Sequence, residues 1–210
     1  MIFNTANFRD PVALFLFFGV AAFGIAADLV TKYLAVAYLA DGSIVRFLPG
    51  LLHFEYTVNY GAVFGIGQGK RPVFILVSIL ALGFLSYLFS TSAKQRSYQL
   101  ILGMLLAGVL GNLYDRAVYG HVRDMLHALP GWYWPQSLAK AFPSIDLLQQ
   151  PIFPYIFNLA DVFLVCGVSF MLIHGIFFAP PAPNPSPSSK SRHPTSTPSQ
   201  PPDQNSTNQP

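Results

Sequence analysis

Charge is what this 210-residue chain has least of. Only 10% of its residues are Asp, Glu, Lys or Arg, against about a quarter in a soluble domain. A surface so poor in charge must face something other than water over much of its extent. Cysteine is nearly absent too: Cys166 stands alone, which excludes a disulfide framework and a Cys-based metal site. It falls in the middle of an apolar run with no nearby base and reads as a small core residue. The net charge of +3 is spread without any basic run, so nucleic acid is not an expected partner. Glutamate occurs once, at Glu55 in "HFEY". With no HExxH, no histidines at ligand spacing and no GxSxG, neither a zinc hydrolase nor a serine hydrolase of that type finds its residues. The glycine-rich "GIGQGK" lacks the spacing and the Ser/Thr of a phosphate loop.

What the chain does have is apolar length. Hydrophobic residues make up 52%, and four stretches reach the roughly 20 residues that a spanning helix needs. They cover 11–40, 72–92, 97–114 and 155–178. The first has only Arg9, offset by Asp10, ahead of it, and it is too long for a cleaved signal peptide, so it reads as an uncleaved span. From Pro180 onward the composition turns to Pro, Ser, Thr and Asn with almost nothing apolar to bury. Two units are therefore expected: a membrane domain over 1–179 and a disordered tail over 180–210. Two connections are long. The segment 41–70 contains "LHFEYTV", which mixes aromatic and β-branched residues as strands do, followed by the turn-forming Gly61, Gly65, Gly67 and Gly69. The segment 119–154 contains "GWYWP", whose aromatic residues suit the headgroup region. Basic residues are nearly balanced between the two sets of connections, so the positive-inside rule leaves the orientation open.

Four antiparallel spans bring the end of the first, the end of the third and the start of the fourth to one membrane face, together with both long connections. On that face fall Asp28, Lys32, Asn59, Asn112, Asp115, Arg116, Asp124, Asn158 and Asp161. Asp28 and Lys32 stand four apart on one helix face and can pair. Asn112, Asp115 and Arg116 at i, i+3 and i+4 stack along one face of the third span. Asn158 and Asp161 lie three apart on the fourth. Charges at such depth are costly and normally face the bundle interior or a wet cavity. Asp28–Lys32 reads as a structural pair and Asp115–Arg116 as a helix-end ion pair. Asp124 taken alone is a loop acid, with Arg123 as its adjacent cation. Asp161 lies a turn or two inside an apolar span with no basic residue within ten positions. Two aspartates sharing a proton can activate water and polarise a carbonyl, and Asp124 with Asp161 is the best such pair. A proton-coupled transporter with acids through the bilayer depth, and a non-catalytic scaffold that binds a partner at this face, are the rival readings. Clustering of the acids at one face counts against the transporter.

The blocks "DLVTK" at 28–32, "NYGAVFG" at 59–65, "GNLYDRAVYGHVRDM" at 111–125 and "FNLAD" at 157–161, in this order on four spans, resemble bacterial lipoprotein signal peptidase (signal peptidase II). The resemblance runs over about 11–178. It implies an α-helical integral membrane fold of four transmembrane helices, a small extracytoplasmic β-sheet between the first two spans, and an extracytoplasmic helix or loop between the last two. It implies a catalytic pair at Asp124 and Asp161. Substrate-binding and supporting residues would be Asp28, Lys32, Asn59, Gly111, Asn112, Asp115, Arg116 and Asn158. No metal or cofactor is implied. The expected substrates are diacylglyceryl-modified prolipoproteins cleaved before the lipidated cysteine, at a monomeric enzyme among membrane lipids. Its place would be the bacterial inner membrane, with both termini cytoplasmic and the site near the outer face. Three departures stand out: Met125 where the family has Phe, a longer stretch between Asp124 and Asp161, and the Pro-rich tail.

Overall fold

The computed structural model describes residues 5–61, 67 and 69–178. The expected tail from Pro180, and Gly65 of the glycine-rich turn, lie outside them. Among the described residues, four helices are long and apolar enough to cross a membrane: α1 (Pro11–Leu39), α2 (Arg71–Thr91), α3 (Arg96–Val118) and α5 (Leu159–Phe178). Asp10 starts the first by accepting hydrogen bonds from the Val12 and Ala13 N–H groups, and Pro11 takes the first helical position, where a missing N–H costs nothing. Gly103 of α3 comes so close to α1 that an added Cβ would stand 2.6 Å from the Leu16 carbonyl oxygen, within the π-helical turn Phe15–Gly19.

The third helix is the centre of the bundle. Over half of its most apolar window (56%) is buried, against 11–28% for the other three. Its lower hydropathy follows from that position, because a helix that faces protein can carry Gln99, Asn112 and Asp115 where one that faces lipid cannot. Small residues let the neighbours in: an added Cβ at Gly108 would stand 2.6 Å from the Ala160 carbonyl oxygen of α5. The apolar core, with Phe17 stacked on Phe89 at 4.3 Å and Leu85, Leu102 and Leu106 around them, fills the end of the bundle away from the polar face. α1, α2 and α5 all pack on α3, but α2 and α5 barely touch each other.

Beyond the polar end of the bundle sits an antiparallel sheet in the order β1-β2-β3-β4. Its strands are β1 (Val45–Leu48), β2 (Leu52–Asn59), β3 (Val122–Ala128) and β4 (Ile156–Phe157). The expected sheet between the first two spans is therefore half the story, because the stretch after the third span supplies β3 and the approach to the fourth supplies β4. Phe54 pairs with Leu126 and Thr57 with Asp124, so Glu55 and Tyr56 together face the single Met125. Such a bulge bends and twists a strand, and bulges recur beside active sites. Met125 packs on Ala35 and Leu39 of α1, seating the sheet on the helix end. The long stretch after β3 folds back as a hairpin that carries the short helix α4 (Gln136–Ala141). Its base is held by the Ile152 N–H to the Trp132 carbonyl at 2.8 Å and the Leu129 N–H to the Leu51 carbonyl at 2.9 Å.

Candidate active site

The fourth span begins later than its hydropathy suggests. Ile156 and Phe157 are strand, and Asn158 precedes the helix rather than riding on it. Asp161 thus stands in the first turn, not a turn or two inside. The two residues cap each other: the Asp161 N–H donates to Asn158 Oδ1 at 3.1 Å and the Asn158 N–H to Asp161 Oδ2 at 3.2 Å. This satisfies helix N–H groups that would otherwise be orphaned.

Asn158 also joins the two acids. Its Nδ2 donates to Asp124 Oδ1 at 2.6 Å and to Asn112 Oδ1 at 3.1 Å. Asn112 Nδ2 in turn donates to Asp161 Oδ1 at 2.8 Å, and Asn59 Nδ2 to Asp124 Oδ2 at 3.1 Å. Each carboxylate is held at both oxygens by amides. Asp124 is no solvated loop acid: it is 1% exposed on β3, the strand that the sheet draws in from the loop. Burial, and next the negative charge of Asp161, push its carboxyl up to about 6, against the amide hydrogen bonds and the Lys32 charge.

Behind the amides lies a charged layer. Lys32 and Asp28, both fully buried, pair at 2.8 Å. Lys32 Nζ also meets Asp115 Oδ2 at 3.3 Å and donates to Asn112 Oδ1 at 3.2 Å. Asp28 Oδ1 accepts the Ala160 N–H of α5 at 2.9 Å. Gly111 permits this packing, since an added Cβ there would stand 2.5 Å from Asp28 Oδ2.

Asp115 does not pair with Arg116, as adjacency suggested. Its partner beyond Lys32 is Arg123, whose side chain reaches its Oδ1 at 2.7 Å and whose backbone N–H reaches its Oδ2 at 3.0 Å. Strand alternation explains the switch, because consecutive residues of β3 point to opposite faces. Arg123 therefore turns away from Asp124 and stacks on Tyr119. Arg116 instead donates to the Gly61 carbonyl at 3.0 Å and lies over the Phe74 ring.

Asp124, Asp161, Asn59, Asn112 and Arg116 line one cavity of about 780 Å³. Its remaining wall is mostly apolar. It runs along Val77, Ser78 and Ala81 of α2, Gly108 and Val109 of α3, and Val162, Val165 and Cys166 of α5, in the gap that α2 and α5 leave between them. Phe153, Tyr155, Ile156 and Phe157 close its sheet side. Cys166 is thus a half-buried cavity residue, not a core one. The aromatic wall and the Arg123–Asp115 pair were missed in the sequence. Alternation in "VRDM" signals the second, while nothing local signals the first. Among the described residues no group of three or more His, Cys, Asp or Glu could hold a metal. Two acids held at one hollow, one of them prone to keep a proton, can share that proton, activate a water and polarise a carbonyl.

The chain is similar to known proteins in sequence and in fold. Residues 20–177 match the family model described as signal peptidase (SPase) II. The chain is 35% identical over 146 residues, 70% of its length, to the lipoprotein signal peptidase of Leifsonia xyli subsp. xyli, of which the match spans 60%. It is 31% identical over 167 residues to that of Geobacillus thermodenitrificans, covering 79% of this chain and 92% of the relative. A solved structure described as a bacterial membrane enzyme superposes with a TM-score of 0.60 at 29% identity, covering 78% of this chain and 91% of that one.

Proposed function

The chain belongs to the signal peptidase II family of aspartic membrane peptidases, and on that premise we propose that it releases signal peptides from diacylglyceryl-modified prolipoproteins, with Asp124 and Asp161 as the catalytic pair. The observation that carries the assignment is the double grip of Asn158, which donates to Asp124 and, through its backbone, to Asp161, at the polar end of a cavity that is otherwise apolar. An apolar channel between helices suits a lipid-bearing substrate, and the acids stand where its peptide would leave the hydrocarbon.

In the reaction one carboxylate, ionised, takes a proton from water as the water attacks the carbonyl carbon before the lipidated cysteine. The other, protonated, donates a hydrogen bond to the carbonyl oxygen. The proton then passes to the leaving amine and the C–N bond breaks. Burial of Asp124, and next the negative charge of Asp161, favour keeping one proton in the pair. Asn59, Asn112 and Asn158 orient the acids. Lys32, Asp28, Asp115 and Arg123 hold the amides from behind. Arg116, on the cavity wall, balances the charge of the pair. The setting is the bacterial inner membrane, with the termini cytoplasmic and the pair near the outer face.

The test is cleavage of a diacylglyceryl-modified prolipoprotein by the purified protein in lipid, followed on a gel. Wild type is expected to release the signal peptide, and Asp124→Asn and Asp161→Asn each to abolish release while remaining folded. Cleavage by both variants would overturn the assignment in favour of a binding or transport role.

A further inference from the structure

β4 meets the cavity differently from the central strand β3. The central strand β3 lines it with alternate residues, Val122 and Asp124, as a sheet face does. At β4 the contact is continuous, with Tyr155, Ile156 and Phe157 all lining it, as it is at Thr57, Val58 and Asn59 of β2, beyond that strand's pairing with β1. Consecutive residues border one space when the edge of the strand, rather than its face, is turned to it. β4 is an edge strand, paired only with β3.

In an antiparallel ladder each residue directs its N–H and C=O to the same side, and its neighbour directs them to the other. Of Ile156 and Phe157, one therefore bonds to β3 and the other presents both groups outward. Neither residue takes part in any backbone hydrogen bond outside the ladder among the described residues, and both are half-buried. A backbone donor and acceptor so placed call for a partner. Just past β2, the Gly69 N–H donates to the Tyr60 carbonyl and the Gly61 N–H to Asn59 Oδ1, whereas β4 runs directly into Asn158.

From this we infer that the substrate polypeptide binds as an extended strand added to the outer edge of β4, an inference that rests on the function proposed above. The edge leads to the acids within one residue, since Asn158 follows Phe157 and touches both Asp124 and Asp161. The added strand takes its affinity from main-chain bonds and its specificity from alternate side chains. Those fall against Phe153, Tyr155 and Phe157, which brace one another edge to face with centroids 5.7 and 5.8 Å apart. The hairpin after β3 sets this wall in place, because its pinned base delivers residues 151–155 to the cavity.

A set of synthetic diacylglyceryl lipopeptides tests it. Each carries one N-methyl group at a successive residue from the second to the sixth on the signal-peptide side of the scissile bond, which itself stays unmodified. With the wild-type protein, kcat/KM is expected to fall about tenfold or more at one position, the scale of a lost hydrogen bond at a desolvated site, and less than about threefold at its two neighbours. Equal losses at adjacent positions, or none anywhere, would overturn edge pairing while cleavage of the unmodified peptide leaves the proposed function standing. If the unmodified peptide is not cleaved, the function falls and takes this inference with it.

Discussion

The bundle buries polar groups at both of its ends, in two different ways. At the end away from the sheet, Asn7 donates to the Phe89 carbonyl and to Ser92 Oγ, while Gln99 donates to the Ala93 carbonyl and accepts from Arg96. Asn7, Ser90, Ser92 and Gln99 are buried, neutral and bonded, and the ion pair there, Asp10–Arg96, is partly exposed. No wall of the cavity comes from this end. At the sheet end the buried groups include Asp28, Lys32, Asp115, Arg123 and Asp124 beside the neutral Asn112 and Asn158, and two of the acids line the cavity. The first end is a clasp that fixes the N-terminal turn to the α2–α3 connection. The second bears desolvated charge that a merely structural network would have no reason to keep, and such groups mark functional sites within membranes.

The sharpest way to break this contrast is to exchange the effects of mutation between the two ends. Asp124→Asn or Asp161→Asn is expected to lower the rate of signal-peptide release by about a hundred- to ten-thousand-fold with little loss of thermal stability in detergent. Asn7→Ala is expected to do the reverse. It removes the Asn7 donors while the Phe89 carbonyl and Ser92 Oγ keep each other and Gln99, costs about 0.5–1.5 kcal/mol, and keeps the rate within about threefold of wild type. A clasp variant that stays folded and loses cleavage would merge the two ends into one functional unit.

Charge removal separates them next. Lys32→Met leaves Asp28 and Asp115 buried without their shared cation, and breaking a buried pair this way costs about 3–5 kcal/mol. The expected result is a large fall in melting temperature and in recovered protein. Arg96→Met at the other end removes only a partly exposed pair and should move the melting temperature far less. Equal shifts would mean that the Lys32 charge is not held at the cost its burial implies.

How far the contrast could be read from sequence varies with the kind of interaction. The four spans were legible because lipid enforces about 20 apolar residues in a row, and Asp28–Lys32 because helical spacing is local. The third span ran one turn further than hydropathy marked, to Val118, since its polar last turn faces protein. The sheet was half legible: "LHFEYTV" carries a strand pattern, but β4 is two residues long and exists only because β3 lies beside it. Asn158 is legible as a supporting residue but not as the link between the acids, because a residue that joins Asp124, Asn112 and Asp161 is defined by three distant segments. The clasp is not legible at all, for Asn7 and Gln99 are ordinary polar residues until 83 positions of sequence are folded back to place Asn7 beside Ser90.

The raised Asp124 carboxyl offers a subtler contrast, readable in the pH dependence of stability. A carboxyl that titrates near 6 when folded and near 4 when unfolded binds its proton more tightly in the native state. Its contribution is full below about pH 4 and lost as pH rises through 6. Ionised Asp124 thus burdens the wild-type fold by up to about 3 kcal/mol at neutral pH, a load that Asp124→Asn removes. The melting temperature of the variant relative to wild type should therefore climb between pH 4 and 7. A flat difference would mean that Asp124 is not the desolvated acid that the geometry makes it. No such climb is expected for Asn7→Ala, because the acid at that end, Asp10, is held below the usual carboxylate range by its hydrogen bond to Arg96 and so titrates outside this window.

The smallest effects come from two glycines that differ only in what surrounds them. Gly111 of α3 is pressed against the charged layer: an added Cβ would lie 2.5 Å from Asp28 Oδ2 and 3.1 Å from Ala160 Cβ. Asp28 cannot retreat without giving up the Ala160 N–H or Lys32. Gly111→Ala should accordingly cost about 1–3 kcal/mol as overpacking does, and it should slow cleavage, because α5 carries Asp161 and is tied to Asp28 at its first turn. Gly83 of α2 has nothing within 4 Å of where its Cβ would stand. Gly83→Ala should raise stability by up to about 1 kcal/mol through helix propensity alone and leave the rate unchanged. Melting curves and cleavage rates of the two variants, measured side by side, decide the matter. A Gly111→Ala protein as stable and as fast as Gly83→Ala would mean that the Asp28 layer gives way freely, and that the acids in front of it are positioned by something else.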